Sequence, residues 1–307
     1  MLLLLTGSSD GTADRIVQHS ELPVFRFNLD LFNEYKVIHN VENWSITNQA
    51  GLTISSETAT RVFWWKAFSY GLDLDSFLLE ELRYFFRELY SWFGYRDAII
   101  GNPPNTENLI GKLRQLEIAS KYFSTSETHL HIGVPFGESS KKKFVVKSLT
   151  SGLTVSNKAM FTQEVDLSKL DPKLLWYTQE LIVSDFDVTV LVFGNKMRGF
   201  SRSREKLEGI DWRSEQFINV DKWITYEISP EISEGITKFC QEIGVEWGRI
   251  DFMKKVDSPE LQFLEMNMNG QWVFLDFENE YGLIDEVVDY IGKSPTHSHL
   301  NLRSSQL

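Results

Sequence analysis

Apolar residues in the first third of the chain are grouped into short blocks that predict buried strands and one long helix. Residues 2–5 are all leucine, and a glycine-containing turn separates them from a helical pattern over residues 12–20. This order of strand, turn and helix is typical of an α/β lobe. Strand patterns follow at residues 24–28 and 61–66, and the apolar spacing over residues 74–94 predicts an amphipathic helix that faces the core. We therefore predict an N-terminal α/β lobe.

A cluster of chain-breaking residues ends this lobe. Pro103 and Pro104 are adjacent, and neither a helix interior nor a central strand accommodates two prolines. We place a lobe boundary there, so the first lobe covers residues 1–105. Beyond it, the patterns predict helices over residues 107–123, 230–244 and 283–292, and strands over residues 144–147, 176–182, 188–193, 249–255 and 261–267. The last two strands flank a short polar turn and predict a hairpin, and the polar residues 293–307 predict a loose tail.

Composition narrows the class of protein. The chain has 307 residues, of which 42% are hydrophobic, and this is enough apolar material for two or three packed lobes. Lys and Arg total 31 against 43 Asp and Glu, a net charge of −12, so we expect no nucleic-acid partner. No apolar run approaches the roughly 18 residues of a membrane span, so we expect no membrane association either. The one cysteine, Cys240, cannot form an intrachain disulfide and suits the reducing cytoplasm, where we expect the protein.

The predicted hairpin carries the clearest candidate chemistry. Asp251 lies on its first strand, and Glu265 and Asn267 are two residues apart on its second strand, so the latter two project from one face. A turn centred near residues 258–259 places Asp251 opposite Glu265 or Met266. Two carboxylates and an amide oxygen, without histidine or cysteine, suit a hard cation such as Mg²⁺ that is shared with phosphates. The alternative is that the carboxylates are solvated residues on a half-exposed sheet, although their neighbours are strongly apolar.

Two other segments have the character of a nucleotide site. Lys147 ends a strand and precedes a small polar loop over residues 148–152, an arrangement that brings an ammonium group and loop amides onto phosphates. Residues 179–182, Gln179-Glu180-Leu181-Ile182, form a candidate linker strand whose main-chain edge suits an adenine ring. Each segment also has a plainer interpretation, because a lysine at a strand end is commonly a surface residue and the tetrapeptide alone is a weak signal.

The order of these segments resembles the ATP-grasp ligase superfamily. A helix bearing Lys112 comes first, and the Lys147 strand, the linker strand, Asp251 and the second hairpin strand follow. Within that superfamily, residues 263–272, Phe-Leu-Glu-Met-Asn-Met-Asn-Gly-Gln-Trp, resemble the Phe-Leu-Glu-Val-Asn-Pro-x-Gly-Gln-Trp segment of the graspetide synthetases of the microviridin type, which modify peptides. Looser matches to that branch's Arg-x-Asn-x-Asp, Trp-Trp-Arg and Asp-Trp-Arg segments lie at residues 26–30, 64–66 and 211–213.

This resemblance covers residues 1–292 and implies an α+β protein with the ATP-grasp fold. It implies that the N-terminal α/β lobe precedes a central lobe over residues 106–182 and a C-terminal lobe over residues 183–292, with the nucleotide between the last two. ATP and Mg²⁺ are the implied cofactors. The implied ligands are Lys112 and Lys147 for the ATP phosphates, Gln179, Glu180, Leu181 and Ile182 for the adenine, Asp251, Glu265 and Asn267 for Mg²⁺, and Arg213 for the transferred phosphoryl group. Arg213 has the alternative of being a surface partner for acidic neighbours.

The activity that the resemblance implies is ATP-dependent cross-linking of a precursor peptide. A side-chain carboxylate of the peptide attacks the γ-phosphate of ATP, and a hydroxyl or lysine amine of the same peptide then captures the resulting acyl phosphate. The implied partner is a peptide with acidic residues and hydroxyl or lysine acceptors, and the ester or amide linkage, the ring pattern and a homodimer stay open. Two other interpretations remain: a ligase that joins a free amino acid or small amine to a carboxylate, and a nucleotide-binding scaffold without turnover.

Two positions depart from the family pattern. Thr189 occupies a position where the family commonly has arginine, and Met268 follows Asn267 where proline is usual. The first change removes a positive charge near the reacting carboxylate, and the second affects only the rigidity of a turn. We hypothesise that Arg202 or Arg198 supplies the missing charge from a neighbouring strand. The basic region over residues 198–206 is also our candidate for receiving the acidic side chains of the peptide, with a solvated loop as the alternative.

Overall fold

A computed structural model of the chain describes residues 1–67, 74–102, 106, 110–133, 142–149, 161–207, 209–211, 222–255 and 258–293. Arg213, the adjacent prolines at 103 and 104, most of the polar loop after Lys147 and the predicted tail from residue 294 lie outside these described residues. None of the described helices is long and apolar enough to cross a membrane.

The described residues combine helices with short strands. The helices are α1 (Gly11–His19), α2 (Ser76–Gly94), α3 (Lys112–Ala119), α4 (Pro230–Ile243) and α5 (Leu283–Gly292). The strands are β1 (Leu2–Thr6), β2 (Val24–Asn28), β3 (Lys36–His39), β4 (Trp44–Thr47), β5 (Thr53–Ser55), β6 (Arg61–Trp64), β7 (Ile99–Ile100), β8 (Ser124–Thr125), β9 (Thr128–Ile132), β10 (Phe144–Lys147), β11 (Gln163–Val165), β12 (Leu175–Glu180), β13 (Phe186–Phe193), β14 (Lys196–Ser203), β15 (Ile224–Tyr226), β16 (Trp247–Lys254) and β17 (Leu261–Asn267).

Residues at the helix ends explain where the helices begin and end. The side chain of Asp10 accepts a hydrogen bond from the backbone of α1, and Ser229 does the same for α4. Such caps satisfy backbone N–H groups that lack a partner inside the helix. Pro230 follows as the first residue of α4, where its missing N–H costs nothing. Gly244 ends α4 with φ of 72°, a left-handed conformation that favours glycine.

The chain divides into two compact units: Met1–Thr106 with Gln271–Leu307, the first unit, and Glu107–Gly270, the second unit. Each unit has its own cluster of buried apolar residues. The break after Thr106 falls one residue beyond the predicted lobe boundary. Residues 271–292 group with the first unit, whereas the family resemblance places them in a C-terminal lobe. The predicted division of the rest of the chain at residue 182 stays a prediction.

The first unit contains a parallel sheet with the strand order β2-β1-β6-β7. β1 is buried along its whole length and pairs with β2 on one side and β6 on the other. A parallel strand that is covered on both faces needs an uninterrupted apolar run, and the four leucines supply it. The amphipathic helix α2 buries Phe86, Leu89 and Phe93, as its apolar spacing predicts.

A small antiparallel sheet with the order β3-β4-β5 also belongs to the first unit and is absent from our sequence predictions. Trp44 and Ile46 of β4 and Ile54 of β5 are buried in the core of the unit, whereas β3 is exposed along its length. These strands have only three or four residues each. An alternation of apolar and polar residues over so short a distance does not stand out from a loop.

The second unit contains two sheets: a four-stranded sheet with the order β11-β10-β12-β9 and a six-stranded sheet with the order β15-β14-β13-β16-β17-β8. β13 lies between β14 and β16 in the larger sheet. Its Val188, Val190 and Val192 pack in one core with Phe239 and Cys240 of α4. The core position of Cys240 agrees with the prediction from its helical surroundings. The opposite face of the larger sheet therefore carries the residues between these valines.

Residues 196–203 form strand β14, so the alternative interpretation of residues 198–206 as a solvated loop is wrong for most of that region. A β-carbon added at Gly199 would lie 2.5 Å from the Tyr226 carbonyl oxygen of β15. Only glycine allows the two backbones to come this close.

The helix predicted over residues 107–123 is shorter than expected. Within the described residues of that range, the helix begins at Lys112, after Gly111, and ends at Ala119.

Candidate active site

β16 and β17 form the predicted hairpin, and their register brings the three candidate metal ligands together. Asp251 lies opposite Glu265, and Arg249 lies opposite Asn267. Asn267 Nδ2 donates a hydrogen bond to Asp251 Oδ2 over 2.9 Å and lies 3.3 Å from Glu265 Oε1. The two carboxylates therefore share one face of the sheet with the amide, and each lies within hydrogen-bonding distance of the amide nitrogen.

A bulge in β17 makes this arrangement possible. The pairing passes over Leu264, because Phe252 pairs with Phe263 whereas the residue before Phe252 pairs with Glu265. In a regular strand, Phe263 and Glu265 would point to the same side, since side chains alternate. With the extra residue, Phe263 and Met266 both pack in the core of the second unit, and Glu265 faces the opposite side.

Four hydrogen bonds hold the Asp251 carboxylate. Oδ1 accepts from Thr189 Oγ1 over 2.9 Å and from Arg249 Nε over 3.0 Å. Oδ2 accepts from Arg249 Nη2 over 2.9 Å and from Asn267 Nδ2. Sequence reasoning missed Arg249. The available signal was its spacing, because a residue two positions before Asp251 on the same strand must share its face.

The donor set fits a hard divalent cation. Asp251 Oδ2 and Glu265 Oε1 both lie within 3.3 Å of one Asn267 nitrogen, so two carboxylate oxygens converge on a point that already holds partial positive charge. A rotation of the Asn267 amide would present its oxygen there instead. No group of three or more His, Cys, Asp and Glu that could hold a metal occurs within the described ranges. A cation here would therefore take a third protein oxygen from the amide and complete its shell with water or phosphate.

Lys112 is the first residue of α3, and its ammonium group reaches the hairpin. Lys112 Nζ lies 2.9 Å from Glu265 Oε2 and donates a hydrogen bond to the Ser148 carbonyl oxygen over 2.9 Å. Both side chains of the ion pair are largely buried, so solvent screens it less than a surface pair. One lysine thus connects α3, β17 and the segment that follows β10.

Lys147 ends β10 and extends the same charged cluster. Its Nζ donates a hydrogen bond to Gln179 Oε1 over 2.6 Å, and Gln179 Nε2 donates to Thr128 Oγ1 over 3.1 Å. Burial raises the pKa of Glu265, but the positive charges of Lys112 and Lys147 and the hydrogen bonds to this carboxylate outweigh burial and lower its pKa to about 2. Glu265 is therefore ionised throughout the neutral pH range.

The predicted adenine segment begins inside β12 and leaves it. β12 ends at Glu180, so Leu181 and Ile182 follow the strand. Glu180 Oε2 accepts a hydrogen bond from Lys142 Nζ over 2.9 Å, and the Leu181 N–H donates to the Lys143 carbonyl oxygen over 2.8 Å. These bonds tie the linker to the residues just before β10. Contact of this segment with an adenine ring stays a prediction.

Arg202 lies on the neighbouring strand β14, in an ion pair of its own. It is opposite Asp187, and Arg202 Nη2 lies 2.6 Å from Asp187 Oδ2. Arg204 Nη1 contacts the other oxygen of Asp187, also over 2.6 Å, and the Arg202 guanidinium lies 4.9 Å from the centre of the Trp223 ring. Phe200, not Arg202, stands opposite Thr189. The proposed compensation of Thr189 by Arg202 therefore stays a prediction, as does the role of Arg213.

Comparison with solved structures identifies the class of fold. The chain has the ATP-grasp fold, because ATP-grasp ligases match it over almost its whole length. No protein-family model matches the sequence, and a search of curated proteins finds no match either.

Three solved structures illustrate the similarity. A RiPP-associated ATP-grasp ligase of Chryseobacterium gregarium, in complex with ADP and a leader and core peptide, is 22% identical, with a TM-score of 0.72 over 95% of each chain. Macrocyclase MdnC of Microcystis aeruginosa MRC, bound with precursor peptide MdnA, is 19% identical, with a TM-score of 0.74 over 94% of this chain and 98% of that one. ATP-grasp ligase PsnB, complexed with minimal precursor, Mg and ADP, is 14% identical, with a TM-score of 0.61 over 94% of this chain and 96% of that one.

These similarities confirm the predicted α+β architecture and ATP-grasp fold. They also confirm that the sequence resemblance to peptide-modifying ATP-grasp ligases extends to the three-dimensional structure. At such identities a structural match establishes the fold, and function has to be argued from the site.

Proposed function

We propose that the chain is an ATP-dependent ligase that activates side-chain carboxylates of a ribosomally made precursor peptide and cross-links them within that peptide. The observation that carries this proposal is the cluster on the second unit, in which Lys112 and Lys147 flank Glu265 beside Asp251 and Asn267. Two ammonium groups next to a set of hard oxygen ligands suit a nucleotide phosphate with its metal ion. The ATP-grasp fold supports the same assignment.

Each part of the site has a role in this proposal. Lys112 and Lys147 bind the phosphates of ATP, and the segment over residues 179–182 binds the adenine. Asp251, Glu265 and Asn267 hold Mg²⁺, which when bound neutralises phosphate charge. Arg202 and Arg213 are our candidates for stabilising the transferred phosphoryl group, since guanidinium suits phosphate and carboxylate.

The proposed reaction has two steps. A carboxylate oxygen of the peptide attacks the γ-phosphorus of ATP, the bond to the β-phosphate oxygen breaks, and an acyl phosphate and ADP result. A hydroxyl or lysine amine of the peptide then attacks the acyl carbon, phosphate leaves with the bonding electron pair, and the acceptor loses a proton. The protein contributes positioning and charge neutralisation to both steps and needs no nucleophile of its own.

The partner in this proposal is a peptide with acidic residues and hydroxyl or lysine acceptors. Its support is that the Chryseobacterium, MdnC and PsnB structures contain leader, core or precursor peptides. The need for ATP and a free thiol favour the cytoplasm as the compartment. The ester or amide linkage depends on the acceptor that the peptide presents. Light scattering of the purified protein distinguishes a monomer from a homodimer.

The decisive experiment measures ADP release and peptide mass together. Purified protein is incubated with ATP, Mg²⁺ and, as the candidate precursor, a short acidic peptide that contains threonine. We expect peptide-dependent ADP release and the loss of one water per cross-link from the intact peptide. Glu265→Gln should abolish both, because it removes the charge that binds the cation and pairs with Lys112.

Glu260→Gln is the matched control for this substitution. Glu260 precedes the same strand and is exposed, and it contacts Ser124 Oγ over 3.0 Å, away from the ligand cluster. It should leave ADP release unchanged. ADP release that depends on free amino acids instead of the peptide would favour an amino acid ligase, and ATP binding without ADP formation would favour a scaffold.

A further inference from the structure

We propose that Thr189 is a positioning residue, whose hydroxyl fixes the Asp251 carboxylate so that Oδ2 faces the metal ion. This inference rests on the metal site of the proposed function and assigns a residue on a different strand to it. Thr189 lies on β13, directly opposite Asp251 of β16. Its side chain is buried, with 3% of the residue exposed, and its hydroxyl donates to Asp251 Oδ1 over 2.9 Å.

The two oxygens of Asp251 share Arg249 as a partner and differ in their second partner. Oδ1 accepts from Thr189 Oγ1 and from Arg249 Nε. Oδ2 accepts from Arg249 Nη2 and from Asn267 Nδ2, and this Asn267 nitrogen also lies 3.3 Å from Glu265 Oε1. Oδ2 is therefore the oxygen that shares a point of convergence with the second carboxylate. Oδ1 is the oxygen that Thr189 anchors.

The anchor from Thr189 is rigid. A β-branched side chain has few χ1 rotamers in a strand, and a buried hydroxyl cannot exchange its acceptor for water. Second-shell groups of this kind orient metal ligands and tune the affinity of the site. A hydroxyl does so without adding a positive charge, whereas Arg249 and Lys112 already place two cations beside the carboxylates. Thr189 therefore orients Asp251 without opposing the binding of a divalent cation.

The test measures metal binding without turnover. Mn²⁺ is titrated in the presence of ADP, and free Mn²⁺ is followed by its electron paramagnetic resonance signal. Thr189→Val keeps the shape and removes the hydroxyl, so we expect Mn²⁺ to bind about tenfold more weakly, at the lower end of measured second-shell effects. Thr189→Ser restores the donor and should bind Mn²⁺ close to the wild-type value. Thr189→Ala should show the same loss of Mn²⁺ affinity, and it replaces Thr189→Val in the test if the valine variant does not fold.

Thr6→Val is the matched control. Thr6 is completely buried in the first unit, and its hydroxyl has no hydrogen-bond partner among the described residues. This substitution makes the same chemical change at a buried strand position and should leave Mn²⁺ binding unchanged.

Steady-state kinetics separate positioning from general damage. If Thr189 positions the metal ligand, Thr189→Val raises the Mg²⁺ concentration for half-maximal ADP release about tenfold and largely keeps the rate at saturating Mg²⁺. Equal Mn²⁺ affinity in wild type and Thr189→Val would overturn the inference, and so would a wild-type protein that binds no Mn²⁺ with ADP. A peptide that is not cross-linked, together with the expected Mn²⁺ results, would overturn the proposed function and leave the role of Thr189 standing.

Discussion

Glu265 is the carboxylate of the candidate site that interacts with its two lysines. Its carboxylate lies 2.9 Å from Lys112, contacts Asn267 and lies close enough to Lys147 for that lysine to lower its pKa. Under the proposed function, the ligands exchange partners: the metal ion takes the carboxylate, and the phosphates take the lysines. The ion pair holds Lys112 and the bond to Gln179 holds Lys147 before the nucleotide arrives, which reduces the ordering that binding requires.

The shifted pKa of Glu265 predicts how the metal-free protein responds to acid. Its pKa is about 2 in the folded protein against an ordinary 4.5. A lowered pKa contributes stability that is fully present above pH 4.5 and is lost as pH falls toward about 2. We therefore expect the coupling free energy between Lys112 and Glu265 to be constant near neutral pH and to shrink between pH 4.5 and pH 2.

A double-mutant cycle with Lys112→Met and Glu265→Gln measures this coupling by urea unfolding at several pH values in EDTA. The cycle cancels the effect that each substitution has by itself. A coupling that does not change over this pH range would mean that the two side chains do not interact as an ion pair in solution.

At the residue scale, the sequence predicts the members of the site better than their partners. The spacing of Glu265 and Asn267 places them on one face, and the turn restricts Asp251 to one of two positions. The partner of Asp251 on β13 could not be predicted in this way. Thr189 is 62 residues away from Asp251, and their pairing depends on the register of separate strands. Short-range spacing contains no information about that register.

At the scale of elements, the larger sheet of the second unit depends on the close approach of β14 and β15. Gly199→Ala would place a methyl group against the Tyr226 carbonyl oxygen, at the 2.5 Å described above. Neither backbone can move without disturbing the ladder, so we expect a loss of about 1–3 kcal/mol in the free energy of unfolding. Urea unfolding measures it.

Gly11→Ala is the control for this loss. Gly11 begins α1, and apart from its chain neighbours and the backbone of its own helix, no atom of the described residues lies within 4 Å of the position where a β-carbon would be added. Alanine is the better helix former, so we expect unchanged or slightly higher stability. Equal stability of Gly199→Ala and wild type would show that β14 and β15 are further apart in solution.

At this scale, elements with a long apolar pattern could be predicted from the sequence, and elements without one could not. The strand over residues 24–28 and the helix over residues 283–292 occur within the predicted bounds because their apolar spacing continues over a whole element. β14 contains basic residues at Arg198 and Arg202 that suggest a solvated loop. The ion pair with Asp187 makes burial of Arg202 possible, and that partner lies on a different strand.

At the scale of the whole molecule, the described residues form two cores, and the proposed nucleotide site lies in one of the two units. The residues of the candidate site all belong to the second unit. Each unit buries its own apolar cluster, so each has its own source of stability. A ligand that binds only the folded protein suppresses the local openings that expose its binding elements.

We therefore predict that ADP with Mg²⁺ slows amide hydrogen exchange mainly in β10, β16 and β17 of the second unit. Exchange in β1 and β2 of the first unit should change less. Hydrogen–deuterium exchange followed by mass spectrometry of peptides resolves these strands. Glu265→Gln should remove most of the difference, and equal slowing of both units with the wild type would contradict a site confined to the second unit.

The bulge at Leu264 also determines which changes in length the hairpin tolerates. Deleting Leu264 would leave two regular strands with Phe263 still inward and Glu265 still outward, since the extra residue is the one that has no partner. Deleting Met266 would make Glu265 and Asn267 neighbours, and neighbours in a strand point to opposite sides. The two deletions lie only two positions apart and have opposite consequences. Loss of Leu264 preserves both faces of the strand, whereas loss of Met266 turns a candidate oxygen ligand toward the core.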